Sequence, residues 1–211
     1  MKRYMSILTA ALVMVGTAGV ARAANNPCAA AIDTNNDGTA DFNVAYVYSG
    51  SNLRTELTYP VDQSSPSQII QYVYDRLGRV WGKAIDTNGD RFPEREIYYA
   101  YQSDGKLYAE GIDDGSDGIL DQITEYTYSG NDRLSAVDLQ ADGTLDRVDR
   151  LTSFYDAQGR LIREIFDEGD DGIAKRNTSY VYGASGNLTG KFVDRDGNGT
   201  IDEVTRYAYQ C

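Results

Sequence analysis

Tyr72-Val73-Tyr74-Asp75-Arg76-Leu77-Gly78-Arg79-Val80 decides the fold. Two tyrosines at i and i+2 fall on one face of a strand, because strand side chains alternate. Asp75 to Gly78 is turn chemistry, and an aliphatic residue resumes the chain after it. The same face runs backwards through Ile70 here, and through Val44 and Phe42, or Ile97, in other units. The opposite face carries polar or small residues such as Asn43, Ala45 and Glu125. That alternation describes a half-buried antiparallel strand. Helix is a poor alternative, since Tyr, Thr, Val and Gly are weak helix formers and no 3.6-residue stripe persists.

The stretch recurs. Its tyrosine pairs are Tyr46/Tyr48, Tyr72/Tyr74, Tyr99/Tyr101, Tyr126/Tyr128, Tyr180/Tyr182 and Tyr207/Tyr209, with Ser153/Tyr155 in the remaining slot. From Tyr74 to Tyr209 the step is 27 residues, and Leu53, Val80, Leu107, Leu134, Leu161 and Leu188 keep it too. Such self-similarity marks a repeat architecture. Each unit reads as strand, short turn, strand, acidic loop. The expectation is an all-β chain, an antiparallel up-and-down meander of about 14 short strands from repeats of ~27 residues. The meander is expected to be coiled or closed into a barrel-like or flattened two-layer sheet. The fifth unit breaks step: Asp138 follows Leu134 by four residues where six is usual, and Asp146 precedes Tyr155 by nine where seven is usual. A bulge or register shift is expected there.

Tyr74-Asp75-Arg76-Leu77-Gly78-Arg79-Val80 and Tyr155-Asp156-Ala157-Gln158-Gly159-Arg160-Leu161 resemble the YD repeats of the Rhs family. Other units depart from that motif, as in Tyr128-Ser129-Gly130-Asn131-Asp132-Arg133-Leu134. The resemblance implies antiparallel sheets that coil. In that family they form large shells, often around toxin domains, whereas this array is small and carries no cargo domain.

Composition removes whole classes of function. The 211 residues include 17 Tyr, 21 Gly, 2 Cys and no His. A Ser-His-Asp triad, a Cys-His dyad and an imidazole zinc site are all excluded. The formal net charge of −12 argues against a nucleic-acid partner, which needs clustered Lys and Arg.

Acid concentrates between the repeats. The pattern D-x-[DN]-x-[DN]-G-x-x-D sets side-chain oxygens at positions 1, 3, 5 and 9, with glycine permitting the bend at 6. Calcium takes six to eight hard oxygen ligands, often on such a loop. Asp33, Asn35, Asp37, Gly38 and Asp41 match in full, as do Asp194, Asp196, Asn198, Gly199 and Asp202. Asp86, Asn88, Asp90 and Glu94 match with Arg91 in place of glycine. Asp113, Asp117 and Asp121 match with Gly115 at position 3, and Asp138, Asp142 and Asp146 with Gln140 there. Asp167 and Asp171 lack the last ligand, because Lys175 stands in its place, and the second loop has decayed to Pro60–Pro66. Asp, Asn and Gly also make good hairpin loops without metal. Unneutralised carboxylates on one loop repel, however, so their recurrence favours bound Ca2+. Position 12 carries no Glu, so the sites are expected to be weak, about 10⁻⁴–10⁻³ M.

Lys2 and Arg3, the apolar stretch Ile7–Val20 and Ala21-Arg22-Ala23 read as a signal peptide over 1–23, leaving one β-repeat domain over 24–211. The apolar run is short for a membrane span, and the mature chain has no other. Loss of Lys2, Arg3 and Arg22 takes the charge from −12 to −15. The expected location is the periplasm or the exterior, where a disulfide between Cys28 and Cys211 is permitted. A flat sheet would hold its end strands about 62 Å apart. A bridge needs Cα atoms within about 7 Å, so the bridge demands that the sheet curve back on itself.

The leading functional reading is a non-catalytic, exported, calcium-binding repeat protein serving adhesion, recognition or structure. A cell-surface glycan or protein is its expected partner. One alternative is a carbohydrate-binding module using the Tyr rows and Trp81; a glycan hydrolase using paired loop carboxylates ranks lower. The tyrosines themselves read first as cross-strand packing.

Overall fold

A computed structural model describes residues 26–209. The signal peptide and Cys211 lie outside the described residues. Fourteen strands follow one another: β1 (Ala29–Asp33), β2 (Phe42–Ser49), β3 (Asn52–Pro60), β4 (Gln68–Tyr74), β5 (Val80–Asp86), β6 (Arg95–Tyr101), β7 (Leu107–Asp114), β8 (Gln122–Ser129), β9 (Asp132–Asp138), β10 (Arg147–Tyr155), β11 (Leu161–Asp167), β12 (Arg176–Tyr182), β13 (Leu188–Asp194) and β14 (Glu203–Ala208). Each pairs antiparallel with its neighbours in sequence, and β1 pairs with β14 to close a barrel. Ala30 faces Tyr207 across that seam and Val44 on its other side. Closure leaves no sheet edge exposed. Of the alternatives open from sequence, the closed barrel is the one adopted.

The tyrosine rows occupy the concave face. Burial first, and the charge of Glu56 second, raise the Tyr207 hydroxyl pKa. Glu56 lies on β3 and Tyr207 on β14, three strand spacings apart, about 14 Å on a flat sheet. Only inward curvature brings them into electrostatic reach. The intervening residues Val47, Ala100, Thr127 and Val181 are exposed on the outside, and Val73 is half-buried. The buried apolar set is small: Cys28, Ala30, Val44, Ala84, Tyr126, Val137, Val193 and Val204. The lumen is therefore packed with half-buried phenol rings and charged side chains rather than with an aliphatic core.

Polar ties hold the rings. The second tyrosine of a pair donates its hydroxyl to the carbonyl oxygen 21 residues earlier: Tyr74 to Leu53, Tyr101 to Val80, Tyr128 to Leu107, Tyr182 to Leu161 and Tyr209 to Leu188, at 2.6–2.9 Å. A cation covers four of these rings: Arg54 over Tyr74, Arg79 over Tyr101, Lys106 over Tyr128 and Arg160 over Tyr182. Each ring thus locks one hairpin to the next. Tyr155 has neither a tie nor a cation over its ring among the described residues. Removing one hydroxyl by Tyr101→Phe is expected to cost about 1 kcal/mol. Tyr155→Phe should be silent. Paired thermal melts check the difference, and equal losses at both positions would contradict it.

The irregular fifth unit takes an unexpected form. The hairpins β2–β3, β4–β5, β6–β7, β10–β11 and β12–β13 each carry a bulge at the second tyrosine. The β8–β9 hairpin has none, so Tyr128 pairs with Arg133 instead of with the aliphatic Leu134. The departure expected from the spacing is thus the loss of a bulge that its neighbours share. Arg133, set opposite Tyr128 by this register, lies over the Tyr126 ring of its own hairpin, 4.6 Å from its centroid.

Candidate metal centre: an acidic crown at one end of the barrel

All the acidic loops join strands at the same end, and the tight turns lie at the other. Six of the seven loops share one backbone. Position 4 is left-handed whether it is Asn36, Ser116, Ala141 or Asp170, with φ of 50–56°, or a glycine. Position 6 is left-handed too. It is glycine in five loops, and Arg91 adopts the same conformation at φ 78° in the third. The departure at Arg91 therefore leaves the loop shape intact.

The position-1 aspartate, at or next to the end of the preceding strand, organises each loop. One carboxylate oxygen accepts the N–H of position 6: Gly38, Arg91, Gly118, Gly143, Gly172 and Gly199 at 2.6–2.9 Å. In five loops the other oxygen accepts the N–H of position 5, at 3.0–3.2 Å. The position-5 side chain accepts from position 7, as in Thr39 N–H to Asp37 and Thr200 N–H to Asn198. The position-9 acid accepts from position 2, as in Arg195 N–H to Asp202 at 2.7 Å. Asp33, Asp86, Asp113, Asp167 and Asp194 are all buried under their loops. The hydroxyl and N–H of Thr34 hold Asp41 below the usual carboxylate range, so it stays ionised.

The spacing of the oxygens tests the fit to a cation. Two oxygens on one calcium, each about 2.3–2.6 Å from it, lie at most about 5 Å apart. The carboxylates of Asp194, Asp196 and Asp202, and those of Asp86, Asp90 and Glu94, each offer oxygens within 4.8 Å of one another. These two loops therefore fit a hard cation. The loop of Asp33, Asn35, Asp37 and Asp41 has the same backbone and hydrogen bonds. So do the loops of Asp113, Asp117 and Asp121 and of Asp138, Asp142 and Asp146, but three carboxylates do not gather so closely in them. In the sixth loop the Lys175 ammonium stands 3.5 Å from Asp171.

Sequence reasoning missed how these loops join. Asn36 donates to the Ile201 carbonyl, Val61 N–H to the Asp41 backbone carbonyl and Gly115 N–H to the Glu94 backbone carbonyl. Gly169 N–H donates to the Asp149 carboxylate. A Cβ on Gly89 would strike the Pro66 carbonyl, and one on Gly197 the Ala174 carbonyl. The loops sit side by side as a crown around the rim, and most are linked to a neighbour. Repeated glycine at position 4 of two loops was a visible signal for close approach, though not for what is approached.

The tyrosine rows are inside, so they do not form an external platform. Trp81 lies apart from them, edge-on to Tyr98 at 5.8 Å and 44 % exposed. No helix among the described residues is long and apolar enough to cross a membrane.

No family model matches the chain, and no curated protein matches it. Among solved structures, it is similar to a porin-like protein from Bacteroides uniformis ATCC 8492. That likeness has a TM-score of 0.49 and 11% identity, over 89% of this chain and 99% of that one. It is also similar to the Photorhabdus luminescens Tc holotoxin pore, with a TM-score of 0.29 and 14% identity. That match covers 78% of this chain and 9% of the other.

Proposed function

We propose that this chain is an exported, non-catalytic barrel whose acidic crown binds calcium and whose surface serves adhesion, recognition or structure. The observation that carries the reading is one loop geometry built six times, with carboxylate oxygens already at cation spacing in two copies. Repetition favours a structural ion over a catalytic pair, because a reaction centre is singular. The strands are those expected of YD-type units, and the leader over 1–23 would direct the chain to the periplasm or the exterior. There Cys28 and Cys211 would bridge. Cys28 N–H donates to the Ala208 carbonyl at 2.8 Å, so the start of β1 lies beside the end of β14. A calcium that binds only the native chain adds stability by mass action.

Thermal melts of the mature protein in chelator and in millimolar calcium test the proposal. Calcium is expected to raise the melting temperature, and Asp194→Ala and Asp86→Ala should each remove part of the rise. Lys175 places a cation where an oxygen is needed, so Asp167→Ala should leave the calcium increment unchanged. Lys175→Asp should enlarge it. Identical melts with and without calcium would end the metal reading.

A further inference from the structure

The repeat is interrupted once, and a cleft lies at the interruption. Where other units carry a first tyrosine, this one has Ser153. Tyr155 lacks the carbonyl tie and the covering cation, and is 52% exposed. Arg133 occupies the chain position of Arg79 and Arg160, which cover the next tyrosine in their units. The missing bulge has turned it away to Tyr126 instead. Between the β8–β9 and β10–β11 hairpins this leaves a cleft of about 260 Å³, walled by Tyr128, Arg133, Leu151, Ser153, Tyr155 and Glu164. It opens at the turn end, away from the crown.

We infer that this cleft binds a neutral pyranose, as a free monosaccharide or as the end of a glycan. Its volume lies below the ~300–1,000 Å³ of sites for drug-sized ligands, which suits a single sugar ring. The exposed Tyr155 ring offers an apolar face for the C–H face of the sugar, and Tyr128, which Lys106 covers on one side, walls the cleft beside it. Arg133 only donates, and the Glu164 carboxylate, which already accepts from Tyr180, can accept again, while a sugar hydroxyl does both. Adjacent hydroxyls can therefore satisfy the two groups together. Asp132 is already paired with Arg150 at 2.7 Å, so Arg133 and Glu164 balance each other at the cleft and no spare cation is left for an acidic sugar or an aromatic acid. The inference gives the recognition role proposed above its ligand class, and is independent of calcium.

Saturation-transfer NMR on the mature protein, with titration calorimetry, tests it using glucose, galactose, mannose, N-acetylglucosamine, glucuronate and 4-hydroxybenzoate. At least one neutral pyranose is expected to bind in the millimolar range, equally in chelator and in calcium. Tyr155→Ala and Arg133→Met should each weaken it about tenfold, the loss of a charged hydrogen bond or a stacked ring. Ser153→Tyr restores the residue the other units carry and fills the cleft. It should abolish binding while keeping or raising the melting temperature. Absence of binding by all four neutral sugars, preference for glucuronate or the aromatic acid, or undiminished binding by Ser153→Tyr would each overturn the inference. None of these results would alter the calcium melts, which stand or fall alone.

Discussion

Raising the pH above 10 is expected to unfold the barrel cooperatively, long before a protein of ordinary tyrosine content would respond. Burial, followed by the charge of Glu110, pushes the Tyr126 hydroxyl up to about 12 from its ordinary 10.0. Burial likewise raises Tyr46, Tyr72, Tyr99 and Tyr180, which share the lumen, with Glu56 and Glu164 accepting from Tyr72 and Tyr180. A group whose folded pKa exceeds its unfolded value contributes stability that is whole below the unfolded pKa. That stability is lost as pH rises through the folded one. The window is therefore pH 10 to about 12, and the tyrosines act together because their rings pack in one lumen. Circular dichroism and phenolate absorbance, followed together, should change at the same pH. Phenolate appearing near pH 10 with the strand signal intact would show the rings to be freely ionisable and the packing argument wrong.

Replacing Cys28 and Cys211 together by serine is expected to bring the largest loss of stability from any pair of substitutions. The bridge would close a loop of nearly the whole mature chain, and the chain-entropy estimate for such a loop is about 5 kcal/mol. The seam it guards is short. β1 has five residues and meets β14 through five pairs and β2 through four. Without the bridge the seam should open first, leaving unpaired edges on β2 and β14. Urea melts of the double variant, or of the native chain with and without reductant, read the loss. Amide exchange at Ala30 and Thr205 locates it. The same urea midpoint in oxidised and reduced protein would remove the bridge from the account.

Much of this was legible in order along the chain. Tyr72 and Tyr74, with the turn that follows them, specify strand and hairpin through local chemistry alone, and their recurrence fixes fourteen strands. The position-1 aspartates and the glycines at position 6 specify the loops by the same logic. Arg91 was harder to read. A left-handed arginine is disfavoured locally, and it is held by Asp86, which accepts its N–H at 2.6 Å. The spacing in the fifth unit announced an irregularity but not its kind. Five hairpins carry a bulge, and the sixth lacks one because Tyr128 pairs with Arg133 in the β8–β9 register, which the spacing does not specify.

By itself, then, the sequence determined the strands, their turns, the period and the acid placed at one end, because each depends on residues within a few positions of one another. The tertiary structure decided the rest. Curvature turned the tyrosine face inward, since only a closed barrel brings Glu56 toward Tyr207 across three strands. Neighbouring loops became a crown because the rim sets them side by side, far apart as they are in the chain. Arg133 shows the division most plainly. It stands in the same local sequence position as Arg79 and Arg160, yet with one bulge missing it serves the Tyr126 ring of its own hairpin instead of a ring of the next, and a cleft lies beside it. Side-chain direction in a sheet follows register, and register belongs to the pairing of strands, not to the strand alone.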